Sequence, residues 1–85
     1  MLIIFYKSKL CPRCFIAGKH LQAVCANDPH IQIEEVELLT SPLRTWRDGI
    51  RMVPALKVGD TILSGIYLSH EVITDFVTRM SKDIP

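Results

Sequence analysis

A chain of 85 residues is long enough for one domain with one modest core. Hydrophobic residues make up 48% of it, a globular composition that excludes a disordered segment. Ten basic against nine acidic residues leave a net charge of +1, which excludes a nucleic-acid footprint and gives no reason to expect an anionic membrane surface as partner.

Met1 to Tyr6 reads as a buried strand, a short continuous run rich in Ile and aromatics. The run is too short to cross a membrane or to form a signal-peptide core, so the expected compartment is the cytoplasm. Residues 7–10 form a loop, and Pro12 suits the first position of a helix, where its missing N–H is no loss. That helix is expected to reach about Ala26, with Phe15, Ala17, Leu21, Val24 and Cys25 on its apolar side, and to stop at Asn27-Asp28-Pro29. Ile31 to Leu38 is a second strand whose alternation breaks at Glu34-Glu35. Ser41-Pro42 starts a short helix, with Ser as its cap, before Gly49. Met52 to Val58 and Thr61 to Ser64 form a hairpin turning at Gly59-Asp60. Ser69 caps a last helix to about Met80, with Val72, Ile73, Phe76, Val77 and Met80 as its apolar stripe. The order is β-α-β-α-β-β-α. A single α/β domain over residues 1–85 follows, a four-stranded mixed sheet with helices on both faces.

Three cysteines, an odd number, argue against a secreted disulfide framework. Two of them form the pair Cys11-Pro12-Arg13-Cys14, between a strand end and a helix start. Unpaired backbone N–H groups and the positive end of the helix dipole converge there and favour thiolate over thiol. Arg13, Lys7 and Lys9 add positive charge. Cys11 is therefore the expected nucleophile, and Cys14, further into the helix and more covered, the resolving thiol. Residues three apart on a helix are neighbours, which lets the two sulfurs close a disulfide. Val53-Pro54, at the start of the third strand, is a candidate for a cis bond.

Strand, Cys11-Pro12-Arg13-Cys14, helix, Val53-Pro54 some forty residues on, the Gly59-Asp60 hairpin and the Ser64-Gly65 turn together resemble glutaredoxin and its thioredoxin-fold relatives along nearly the whole chain. The resemblance implies a cis Pro54 packed against the cysteines and a disulfide substrate bound along Val53 and Pro54 as an added strand, with Arg13, Ser64 and Gly65 in the substrate site. Glutathione-using glutaredoxins carry a Gly-Gly pair followed by a small residue and Asp. The equivalent stretch here, Ser64-Gly65-Ile66-Tyr67-Leu68, lacks that Asp. Ser64-Gly65 is similar to the turn of the glutaredoxin-like electron donors of ribonucleotide reductase, although Leu63 replaces their Trp. The implied activity is dithiol–disulfide exchange by a monomer on protein or small-molecule disulfides. No cofactor is expected to be bound. Glutathione, or a thioredoxin reductase drawing on NADPH, is the expected electron source.

Two other readings stand beside it. The same thiols could hold a metal or an iron–sulfur cluster, although within one chain no further ligand reaches them. His20 falls out of phase with Cys11, and Cys25 lies about 16 Å along the helix axis from Cys14. Alternatively, the chain is an adaptor with idle thiols that docks through Trp46 among Arg44, Arg47 and Arg51. Glu34, Glu35 and Glu37 read as a solvated strand end, and Cys25 as a buried filler.

Overall fold

The computed structural model describes residues 1–26, 28–65 and 67–83. Asn27, from the expected helix stop, and Ile66, from the expected turn after Ser64, lie outside the described residues. The elements are β1 (Leu2–Lys7), α1 (Pro12–Cys25), β2 (Gln32–Glu37), α2 (Pro42–Arg47), β3 (Ala55–Val58), β4 (Thr61–Ser64) and α3 (His70–Asp83), in the expected order. They build one sheet in the order β2-β1-β3-β4. β1 runs parallel to β2 and antiparallel to β3, and β3 is antiparallel to β4.

Pleating sorts the strand residues onto two faces. Ile3 and Phe5 of β1 and Leu56 of β3 point to the same side, where Ala17, Leu21 and Cys25 of α1 and Ile73, Phe76, Val77 and Met80 of α3 cover them. Tyr6, Val36 and Ala55 point to the other side and meet Ile50 below α2. The break at Glu34-Glu35 now has a cause. The two carboxylates face opposite sides of an edge strand, and each takes a cation: Arg44 of α2 bonds Glu34 through two nitrogens, at 3.0 and 3.2 Å, and Lys7 bonds Glu35 at 3.0 Å. These glutamates form a solvated strand end as expected, and what the strand pairing adds is their partners; Glu37 accepts the N–H groups of Lys9 and Thr40 at 2.9 and 3.0 Å.

Several boundaries also move. β1 extends to Lys7, whose carbonyl accepts the Leu38 N–H at 2.7 Å, so the loop begins at Ser8. β3 begins at Ala55 rather than Met52, because Pro54 has no N–H to give a ladder. Ser69 caps α3 as expected, accepting the Val72 N–H at 3.2 Å on its Oγ. Ser41 does not cap α2 with its side chain; its carbonyl accepts both the Thr45 N–H and the Thr45 hydroxyl. Phe15 and Val72 leave the apolar stripes expected of them and are exposed. α3 runs three residues past Met80. The hairpin turns on Gly59-Asp60 with only Gly59 at positive φ (+59°), the sign pattern of a turn with glycine at its first central position.

The sheet directions decide where chemistry can gather. The C-terminal ends of β1, β2 and β4 and the N-terminal end of β3 all lie at one end of the sheet. The loops leading to α1, α2 and α3, and the loop from α2 to β3, therefore emerge together.

Candidate active site

Cys11 stands in that cluster of loops, in extended backbone (φ −110°, ψ 104°), directly before α1. Pro12 occupies the first helical position, and two residues further on the N–H of Cys14 turns back. It donates to Cys11 Sγ at 3.2 Å. The sulfur is thus the side-chain cap of its own helix, the place where a Ser or Asp oxygen ordinarily sits. A partial negative charge on that sulfur meets the positive end of the dipole.

The two thiols differ in exposure and in acidity. Cys11 is half-buried, while Cys14 is 1% exposed and points inward on the stripe formed with Ala17, Leu21 and Cys25. Both are reduced. Burial pushes the Cys11 thiol up, but hydrogen bonds from the Cys14 thiol and N–H, with the charge of Arg13, outweigh it and hold Cys11 below the ordinary thiol value. Burial pushes the Cys14 thiol up to about 11, and the neighbouring Cys11 sulfur adds to the rise. One sulfur is prepared to be a thiolate, and the other keeps its proton.

Arg13 is exposed on the first turn of α1 and contributes to the lowering of Cys11. Lys7 is engaged by Glu35. Lys9 is fixed through its backbone N–H to Glu37, and its side chain stands in solvent. Lys7 and Lys9 are not among the groups that lower Cys11. Both line a pocket of about 120 Å³ with Ser8, Cys11, Cys14 and Phe15. A second pocket, of about 290 Å³, shares Lys7, Cys14 and Phe15 and continues past Gly18 to Glu35.

The Val53–Pro54 bond is cis, and Pro54 is buried. Ala55 pairs with Tyr6, so Pro54 stands level with Lys7, where the chain leaves the sheet toward Cys11. Ser64 pairs with Ala55, which brings Ser64 and Gly65 to the same end. Topology therefore gathers Cys11, Cys14, Arg13, Val53, Pro54, Ser64 and Gly65 at that end from separate parts of the chain. Among the described residues, no backbone hydrogen bond engages Val53.

Sequence reasoning missed Phe15 as a wall of this site. The signal was present: Cys14, Ala17, Leu21 and Cys25 already make a complete buried stripe, which leaves Phe15 outside it. It missed Glu35 as well, because only strand pairing reveals that a residue of β2 lines a pocket with Cys14. Among the described residues, no three His, Cys, Asp or Glu side chains come together as metal ligands. No described helix is long and apolar enough to cross a membrane.

No protein-family model matches the chain, and no curated protein matches it in sequence. Solved structures do match it in shape. The chain is similar to thioredoxin 1 from the thermophilic eubacterium Thermosipho africanus, with a TM-score of 0.77 at 19% identity over the whole of both chains. It is similar to a mutant thioredoxin from Halobacterium salinarum, with a TM-score of 0.79 at 13% identity, over 99% of this chain and 77% of the other. It is also similar to the glutaredoxin-like protein NrdH-redoxin from Escherichia coli, with a TM-score of 0.64 at 19% identity, over 88% of this chain and 93% of the other. The fold is the thioredoxin fold.

Proposed function

We propose that this thioredoxin-fold chain is a dithiol–disulfide oxidoreductase that works through Cys11 and Cys14. The observation that carries the reading is the Cys14 N–H on Cys11 Sγ: it makes an accessible sulfur the cap of a helix while the second sulfur stays buried one turn in. The Cys11 thiolate attacks one sulfur of a partner disulfide. A mixed disulfide forms, and the partner's other sulfur leaves as a thiolate that takes up a proton. Loss of the Cys14 proton then lets its sulfur attack Cys11 Sγ. The Cys11–Cys14 disulfide closes, and the partner departs as a dithiol, richer by two electrons and two protons.

Val53 is suited to hold the partner's backbone, since it precedes the β3 ladder and has its N–H and C=O to offer. Ser64 and Gly65, after β4, and Arg13, in the first turn of α1, lie at the same end of the sheet and are assigned to the same substrate site. The oxidised chain must then be recharged. We take the donor to be a thioredoxin reductase drawing on NADPH rather than glutathione, because no carboxylate stands in the Ser64–Leu68 stretch.

Substitution separates the roles. Cys11→Ser should abolish reduction of a peptide disulfide. Cys14→Ser should stop at a mixed disulfide with Cys11, visible as an adduct by mass spectrometry. Turnover that survives Cys11→Ser overturns the assignment. Offering the oxidised protein reduced glutathione in one tube and thioredoxin reductase with NADPH in another identifies the donor.

A further inference from the structure

The end of the sheet that carries Cys11 is unevenly charged. Most of its carboxylates are engaged: Glu35 with Lys7, Glu34 and Asp48 both with Arg44, Asp48 also with the Tyr6 hydroxyl, and Glu37 with two backbone N–H groups beside the Lys9 charge. Lys9, Arg13 and Arg51 are exposed cations that enter no ion pair among the described residues. Glu71, in the first turn of α3, is the exception: an exposed carboxylate at this end with no ion pair among the described residues, set beyond β4 on the side away from β2.

The same end is unusually apolar for a surface. Leu10, directly before Cys11, is 81% exposed, and Phe15, directly after Cys14, is 65% exposed. Met52 before Val53-Pro54 and Tyr67 after Gly65 are also exposed. On two flanks an exposed ring carries a cation of its own. Lys19 Nζ lies 4.7 Å from the Phe15 ring centre on α1, and the Arg51 guanidinium lies 5.3 Å from the Trp46 ring centre beside α2. Large exposed side chains grouped around a nucleophile mark a protein contact. Because α1 and α2 cover opposite faces of the sheet, a ligand that reaches both ring–cation pairs must bridge the sheet's thickness, which a small anion does not.

We propose that this end of the molecule docks a protein segment that presents its disulfide among acidic and apolar side chains. The proposal rests on the dithiol reading above and adds the class of partner to it. The cations draw the acidic segment in and orient it, the rings and Leu10 cover its apolar side chains, and the disulfide meets Cys11 at the centre. Arg13 contributes both to the lowering of Cys11 and to this attraction.

Two synthetic peptides of equal length test it, each with one internal disulfide, flanked by Glu and Leu in the first and by Lys and Leu in the second. The rate of reduction by the reduced protein is measured for each and divided by that peptide's rate with dithiothreitol, which removes intrinsic reactivity. The expected result is a preference of about tenfold or more for the Glu peptide at low salt, shrinking at high salt and smaller for Arg51→Glu. Equal normalised rates, a preference for the Lys peptide, or a preference indifferent to salt overturns the proposal and leaves the dithiol reading standing. Failure to reduce either peptide overturns both.

Discussion

On one face of the sheet, α1 and α3 meet Ile3, Phe5 and Leu56 through side chains that are apolar apart from the Cys25 thiol. On the other, α2 and the loop after it are tied down by a polar chain. The buried Tyr6 hydroxyl donates to Asp48 Oδ2 at 2.6 Å, Asp48 lies 3.7 Å from Arg44 Nε, and Arg44 bonds both oxygens of Glu34. The first face positions the helix that bears the cysteines, and the second positions the loop that leads to Val53-Pro54. Dispersion and water exclusion fix the nucleophile, whatever the pH; hydrogen bonds and ion pairs fix the strand that we assign to the partner. The two halves of one site should therefore fail under different conditions.

The largest effect is expected on the apolar face. Phe76 is 1% exposed and packs within the α1–α3 core. Phe76→Ala should cost about 3–5 kcal/mol, from lost burial and from the cavity left behind. Urea unfolding read by circular dichroism checks this. A cost below about 1 kcal/mol would mean that the face is far less tightly packed than its burial implies.

The polar face should yield less, and in acid. Tyr6→Phe removes a hydrogen bond to a carboxylate, worth about 1.5–3 kcal/mol at neutral pH. The Tyr6 hydroxyl is also the first reason that the Asp48 carboxyl lies below its usual range, with Lys57 and Arg44 helping against the opposing effect of burial. A carboxyl lowered in the folded state contributes stability above the ordinary carboxyl value near pH 4, and that contribution disappears as pH falls through the folded value. Glu34, lowered by Arg44, acts in the same direction. The native chain should therefore lose stability below about pH 4, and Tyr6→Phe should lose less over that interval, so the two curves converge in acid. Parallel curves would show that Asp48 does not carry the acid sensitivity.

The difference between the faces also decides what could be read from sequence. Periodicity finds apolar stripes, so most of the core of α3 and the order of elements along the chain were legible, and the Cys11-Pro12-Arg13-Cys14 pair stood out by its spacing at a helix start. Glu34 and Glu35 read as solvated, which they are, but consecutive positions on a strand face opposite ways, and only the pairing with β1 and the placement of α2 show which cation each meets. Asp48 and Tyr6 are forty-two positions apart and share no local pattern, so their bond is a product of topology alone. Lys7 looked like a support for Cys11 on grounds of nearness in the chain, yet pleating turns it toward Glu35.

The smallest effect tests how closely the apolar face is fitted beneath the site. Gly18 lies in the middle of α1, where alanine would ordinarily favour the helix by about 1 kcal/mol. A methyl group there would stand 3.1 Å from Phe5 Cε2, and Phe5 is only 2% exposed, so its ring has little room to yield. Crowding of a packed core costs about 1–3 kcal/mol, more than the helix gains. Gly18→Ala should therefore destabilise by about 1 kcal/mol net, read as a lower urea midpoint with an unchanged slope. It should also lift α1 slightly from β1 and narrow the pocket that Gly18 and Phe5 share with Cys14. A gain in stability would mean that Phe5 can give way. The face that holds the nucleophile would then be the more forgiving of the two, with the polar chain through Tyr6 as the more exacting support.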